Sequence, residues 1–233
     1  MKVSAITPTY GRAEFLREAI ASFLSQDYPD KEMVVVDDGS ETDYAEQAVK
    51  KANDSRIIFR KIPHSGQPGA TNACIEAASG EVVTVLHDDD VFENEKSLSA
   101  RAAPFALNPD IEVVWTGYRE VINGKAGEPI SACPPNVEMI WETDYICFPT
   151  MAWKKNIHDR IGMFPAELPI MNMDWWFKIK CLMECWCYAI PDSTLRYRIH
   201  SNQLNLRCSP TVKAEEERIM RRMLNERYGG IFK

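Results

Sequence analysis

The sequence predicts an α/β fold in which a mostly parallel sheet is flanked by helices on both faces. Three observations carry this reading. Through roughly the first half of the chain, short apolar runs alternate with amphipathic segments of helical length. Runs such as "MVVV" and "VVTVL" are continuous rather than alternating, as strands covered on both faces require. Three runs end in polar clusters: Thr7-Pro8-Thr9-Tyr10, Asp37-Asp38-Gly39-Ser40 and His87-Asp88-Asp89-Asp90. Parallel sheets gather such strand ends along one edge, where ligands bind.

The elements follow in order. "KVSAITPT" is a strand rich in β-branched residues. "RAEFLREAIASFLSQ" carries the helical stripe Phe15, Leu16, Ala19, Ile20, Phe23 and Leu24. "EMVVVDDGS" is a buried strand ending in a turn, "TDYAEQAVKKAN" a helix and "RIIFRKI" a strand. "GATNACIEAAS" is a helix stopped by Gly80, "EVVTVLH" a strand, and "NEKSLSARAAPFAL" a helix reaching Asn108-Pro109. Beyond it the pattern loosens. "IEVVWTGYREVI" reads as a strand, the Gly/Pro-rich stretch 123–144 as a loop over the site, and "MNMDWWFKIKCLMEC" as a helix. "WCYAIPDSTLRYRIH" holds one or two short strands, and "SPTVKAEEERIMRRMLNERYGG" is a closing helix with Ile219, Met220, Met223 and Leu224 on one face. No repeat or linker interrupts the chain, so a single domain over 1–233 is expected.

Bulk properties narrow the function classes. The 233 residues are 45% hydrophobic, enough for a substantial core, and the net charge of -7 argues against nucleic acid as a partner. A phosphate-bearing ligand stays open, because a bound divalent cation inverts the local field. No apolar run approaches the ~20 residues that cross a bilayer, and the N-terminus enters a strand directly, so a cytoplasmic location is expected. The mixed charge of the closing helix favours a solvated, core-packed helix over peripheral membrane contact. The sequence is silent on oligomeric state. Seven irregularly spaced cysteines do not form a disulfide framework. The thiols of Cys181, Cys185 and Cys187 read as packing rather than as a metal site, having no paired CxxC and no nearby histidine.

The aspartate triplet has two readings of equal weight when taken alone. Hard divalent cations take carboxylate oxygens together with substrate phosphates, so Asp88 to Asp90 at a strand end suit Mg²⁺ or Mn²⁺. The same residues also make a solvated turn capping the next helix. For Asp37-Asp38-Gly39-Ser40 a turn and helix cap is the simpler reading, and Tyr10 suits either base stacking or packing. Gly66 and Gly69 suit either close backbone approach to a ligand or turns.

Taken together, "VSAITPTYGRAEFLREAIASFLSQDYPDKEMVVVDDGS", "GQPGATNACIEAASGEVVTVLHDDD", "MDWWFKIK" and "LRYRIHSNQ" resemble a family 2 glycosyltransferase of the GT-A fold, in particular the small, soluble, non-processive SpsA-like type. The resemblance spans nearly the whole chain in the expected order. It implies a Rossmann-like nucleotide-sugar half over 1–110 and a smaller acceptor-binding half with the closing helix over 111–233. Pro8, Thr9, Tyr10, Arg12, Asp38, Gly66, Asp88 and Asp89 would then bind the nucleotide-sugar, usually a UDP-sugar. Asp89, Asp90 and His200 would hold Mn²⁺ or Mg²⁺, and Asp174 would be the catalytic base. The acceptor would be a glycan or lipid-linked saccharide hydroxyl, attacked with inversion. Burial between Trp175, Trp176 and the loop would raise the Asp174 pKa, and the two tryptophans suit either acceptor stacking or the core.

Three residues depart from the family pattern. His87 stands where an acid is usual, Thr71 replaces an arginine, and Met173 replaces the first acid of the ED motif. The QxxRW motif of processive synthases is absent, which implies transfer of a single sugar. Two other classes compete: a nucleotide- or glycan-binding module without turnover, and a sugar-1-phosphate nucleotidylyltransferase. "TPTYGRAEF" is a poor substitute for the Gly-rich basic loop that the latter needs.

Overall fold

In a computed structural model, which describes residues 1–169, 172–203 and 208–230, the first half forms the expected alternation. Strands β1 (Val3–Thr9), β2 (Lys31–Asp37), β3 (Ile57–Lys61) and β4 (Val82–Val85) are separated by helices α1 (Ala13–Leu24), α2 (Tyr44–Ala52) and α3 (Gly66–Ala77). All three pairings among these strands are parallel, in the order β3-β2-β1-β4. Their residues alternate between two cores. Val3, Ala5, Met33 and Val35 pack under α1 and α2, while Ile6, Val34, Val36, Val83 and Val85 pack against α3 and the later helices. Continuous apolar strands are the signature of burial on both faces, and that is what they find here.

The second half continues the same sheet in mixed orientation. After β5 (Val91–Phe92) and α4 (Ser97–Leu107) come β6 (Val113–Ile122), β7 (Lys125–Ile130), α5 (Val137–Glu142), β8 (Ala152–Lys154), α6 (His158–Ile161), α7 (Met173–Glu184), β9 (Cys187–Ile199) and α8 (Pro210–Tyr228). The order beyond β4 is β8-β6-β9-β5, with β7 paired to β6. Strand β8 runs antiparallel to both β4 and β6, and β9 lies parallel to β6. Ser209 caps α8 by accepting from the Val212 N–H, and Gly229 ends it in the left-handed region (φ 70°). Met220 and Leu224 are its buried apolar residues, on the face the sequence marks.

Stretch 123–144, expected as a loop, instead holds β7 and α5. Asn123-Gly124 forms the hairpin turn, with φ of 51° and 76°. All six residues of β7 are exposed, so they carry no apolar alternation for a sequence reading to find. Strand β9 is one strand of 13 residues, not two short ones. Its register against β6 jumps from Thr116↔Ile190 to Gly117↔Ser193, so Pro191 sits in a bulge where it breaks no ladder bond. The two-residue β5 had no sequence signal of its own. It pairs antiparallel with β9 at Arg196 and Leu195, and so draws the end of β9 against the aspartate triplet.

Candidate active site

The three polar strand ends meet at one edge. The Thr9 hydroxyl donates to Asp88 Oδ2 (2.6 Å), and the Asp38 N–H donates to the Thr9 carbonyl (3.0 Å). Arg12, just before α1, reaches across this edge. Its Nη1 donates to Asp88 Oδ1 (2.9 Å) and to Asp89 Oδ2 (2.7 Å). Pro8 lies in β1 opposite Val36.

The triplet follows β4 and turns back on itself, with the Asp90 N–H bonded to the His87 carbonyl. Asp88, Asp89 and Asp90 are 2%, 6% and 0% exposed, so the solvated-turn reading does not hold. Burial, reinforced by the neighbouring Asp89, pushes the Asp88 carboxyl up to about 6 against the pull of Arg12. The same two causes push Asp90 well above the ordinary carboxylate range. Asp90 Oδ1 accepts from the Arg198 N–H at the end of β9 (2.9 Å), while its Oδ2 has no partner. Asp90 therefore ties β9 to the site and does not cap a helix. His200, two residues beyond Arg198, points Nε2 at Asp89 Oδ2 (3.1 Å). Phe15 of α1 backs this corner, with its ring 4.7 Å from His200 and 5.0 Å from the Arg198 guanidinium.

On the other flank, the Asp38 carboxylate receives three hydrogen bonds and one close histidine contact. Ser65 N–H (2.7 Å) and Ser65 Oγ (2.9 Å) donate to Oδ1; Gly66 N–H (3.0 Å) and His64 Nδ1 (2.9 Å) approach Oδ2. Gly39 makes this approach possible: a Cβ there would lie 2.7 Å from the His64 nitrogen, and its φ is 79°. Gly66 also needs its positive φ of 76° to start α3 under Asp38. His64 was not singled out by the sequence reading. Its exposed ring lies 4.9 Å from that of Tyr10, which is 53% exposed, so the two rings form an open aromatic face beside the crevice. Thr71 is buried with its hydroxyl unpaired, while Asn72 holds Phe164 by two backbone bonds.

Asp174 opens α7 half-buried. Its Oδ1 accepts from the Trp175 N–H (2.9 Å) and its Oδ2 from Lys178 Nζ (2.8 Å), one helical turn on. Lys178 is fully buried and also donates to both oxygens of Asp144 (2.9 and 2.8 Å). Burial alone would lower the Lys178 pKa, but Asp144 and Asp174 outweigh it and push it up, so the ammonium stays charged. The tryptophans do not enclose Asp174 in an apolar pocket, which corrects that expectation. Trp176 packs in the core with Lys180 4.3 Å over its ring. Trp175 bonds the Ile140 carbonyl and stacks near Arg221. Asp144 was missed because it lies in a stretch read as loop, 34 residues before the lysine it joins.

The donor chemistry of the triplet suits a divalent cation. Among the described residues, the group of ligand atoms compact enough to hold one ion is that of His87, Asp89 and Asp90, all within 4.8 Å of one another. His87 Nε2 and Asp90 Oδ2 are both buried without partners, and burial pushes the His87 imidazole pKa down. Cys181, Cys185 and Cys187 form no such group. Cys181 is buried, and Cys185 Sγ accepts from Arg160 Nη2 (3.3 Å).

The chain matches the glycosyl transferase family 2 model over residues 4–166. It belongs to that family. It is 30% identical to an uncharacterised glycosyltransferase of Nostoc, with 93% of this chain and 70% of that protein covered. An uncharacterised Rickettsia felis glycosyltransferase is 36% identical over 86% of this chain, which spans 35% of that protein's length. A Staphylococcus aureus TarS structure in complex with UDP-GlcNAc superposes with TM-score 0.79 at 23% identity, covering 97% of this chain and 67% of that one. At that identity the match speaks to the fold, which is the GT-A fold. A mannosyltransferase from Pyrobaculum calidifontis in complex with GDP-Man and Mn²⁺ gives TM-score 0.63 at 21% identity, covering 87% of this chain and 58% of that one. No helix among the described residues is long and apolar enough to cross a membrane.

Proposed function

We propose that this family 2 glycosyltransferase is metal-dependent and inverting, and moves one sugar from a UDP-sugar to a hydroxyl of a glycan or lipid-linked saccharide. The observation that carries the reading is the meeting of Thr9, Arg12 and the buried aspartates at the carboxyl edge of the parallel sheet. UDP-GlcNAc in TarS supports the donor class. A partial match to a Campylobacter jejuni β-1,3-glucosyltransferase acting on an undecaprenol-linked glycan supports the acceptor class; it is 38% identical over 38% of this chain and 30% of that one. The two halves divide the work, 1–110 binding the donor and 111–233 the acceptor.

In this reading Tyr10 and His64 carry the base, while Asp38 holds the His64–Gly66 turn under it. Asp88, with Thr9 and Arg12, meets the ribose side. Asp89 and Asp90 hold the cation, which when bound neutralises charge growing on the departing diphosphate. Asp174 takes the proton from the acceptor hydroxyl, and a single displacement inverts the anomeric carbon. Lys178 fixes the Asp174 rotamer, and Asp144 fixes Lys178.

A binding module without turnover is the second reading, favoured by one observation: Asp174 Oδ2 is occupied by the Lys178 ammonium. One screen separates the two. Sugar-nucleotides are tested for thermal stabilisation and for slow hydrolysis with Mn²⁺, Mg²⁺ or chelator. Metal-dependent hydrolysis of a UDP-sugar is expected. Stabilisation without hydrolysis or transfer to any acceptor would leave the binding module, and tight UDP binding in chelator would undo the role given to Asp89.

A further inference from the structure

We propose that His87 supplies a nitrogen ligand to the cation, completing a His87–Asp89–Asp90 set, and that His200 holds Asp89 in place instead of binding the ion. The inference rests on the metal-dependent reading above and names the ion class of that same site.

Four observations converge. The ligand atoms of His87, Asp89 and Asp90 lie within 4.8 Å of one another, close enough to share one ion. Two of those side chains carry orphaned buried atoms, His87 Nε2 and Asp90 Oδ2. A buried polar atom left unpaired is costly, and two on side chains of one compact group fit a common partner. A cation accepts lone pairs from both an imidazole nitrogen and a carboxylate.

His200 differs in that both its ring nitrogens are engaged. Nδ1 accepts from the Asn202 N–H (3.3 Å), which leaves the proton on Nε2, facing Asp89 Oδ2. A nitrogen that donates a hydrogen bond has no lone pair for a metal. The hydrogen bonds of the Asp89 side chain, from Arg12 and His200, both fall on Oδ2, which leaves Oδ1 for the ion. His200 thus orients a ligand, the usual work of a group one step behind the metal. The His87 ring is itself set by Phe148, 5.9 Å away.

The consequence is selectivity. Mg²⁺ prefers oxygen ligands and keeps its waters, whereas imidazole nitrogen favours first-row transition ions. This chain should therefore prefer Mn²⁺ or Co²⁺ to Mg²⁺, because a histidine stands where an acid is usual in the family pattern.

The test is pulsed electron spin resonance on the full chain loaded with Mn²⁺ alone, with binding followed by calorimetry. The bound ion should show imidazole-nitrogen modulation that vanishes in His87→Gln and persists in His200→Gln. His87→Asp, with an all-oxygen set, should still bind Mn²⁺ without modulation and should lower the preference for Mn²⁺ over Mg²⁺ by ~10-fold. His200→Gln should weaken Mn²⁺ binding by about 10–100-fold, as loss of an orienting group does. Bound Mn²⁺ with no nitrogen modulation, or modulation lost in His200→Gln and kept in His87→Gln, would overturn the assignment and leave metal-dependent transfer standing. Failure of the wild type to bind Mn²⁺ with or without UDP would sink the assignment and the metal dependence together. Hydrolysis of a UDP-sugar in chelator would then show whether the transferase reading survives.

Discussion

The two edges of the parallel sheet each bury acidic side chains, and they treat them in opposite ways. At the amino edge, Glu32 of β2 is 3% exposed and fully satisfied. It accepts from Ser4 Oγ (2.6 Å), Ser79 N–H (2.6 Å) and Ser79 Oγ (2.8 Å), and pairs with Lys2 (2.5 Å). Gly80 lets this cluster close, since a Cβ there would sit 2.6 Å from Ser4 Oγ. Burial opposes ionisation, but the bonds from Lys2, Ser4 and Ser79 win and lower the Glu32 pKa to about 2. At the carboxyl edge Asp88 is held up at about 6, and Asp90 keeps a bare oxygen. A buried acid that serves the fold is given its donors locally. A buried acid left short of donors is waiting for a ligand, and its repulsion is a cost the rest of the core offsets.

Breaking the carboxyl edge should cost activity and leave the fold intact. Asp174→Asn is expected to lower the transfer rate by ~10²–10⁴-fold with UDP affinity unchanged, the usual loss for a general base. A variant that keeps its turnover would move the base to Asp144. Breaking the amino edge should do the reverse. Glu32→Gln is expected to lower stability by about 3 kcal/mol in urea titration, by stranding Lys2 and the serine donors, with kcat unchanged. A fall in kcat there would mean that the edges are coupled.

Tyr10→Ala sharpens the comparison from the exposed side. It should raise the Kd for UDP by ~10-fold, the scale of a lost base stack, and leave the melting temperature alone. The smallest effect is on pH dependence. A carboxyl raised in the fold binds more protons folded than unfolded, so Asp88 contributes stability that is full below its unfolded value and lost as pH rises through about 6. Glu32 works the other way, its contribution being present above 4.5 and lost as pH falls toward 2. In chelator, Asp88→Asn should therefore gain on the wild type by on the order of 1 kcal/mol between pH 5 and pH 8, read as a difference of urea midpoints. An unchanged difference would mean that Arg12 and Thr9 already satisfy Asp88.

The sequence by itself determined the parallel half of the sheet and the residues that stand at its carboxyl edge. Apolar runs, helical stripes and the polar clusters that hold Thr9, Asp38 and Asp88 are local patterns, and parallel topology does the rest. What only the tertiary structure decided is which polar atoms find partners. The two-residue β5 and the bulge at Pro191 bring His200 onto Asp89 from the far end of the chain. The 123–144 stretch delivers Asp144 to Lys178. Three donors converge on the Asp38 carboxylate, and none reaches His87 Nε2. Hydrogen-bond satisfaction depends on distances of tenths of an ångström between residues remote in sequence, and no local pattern encodes those distances.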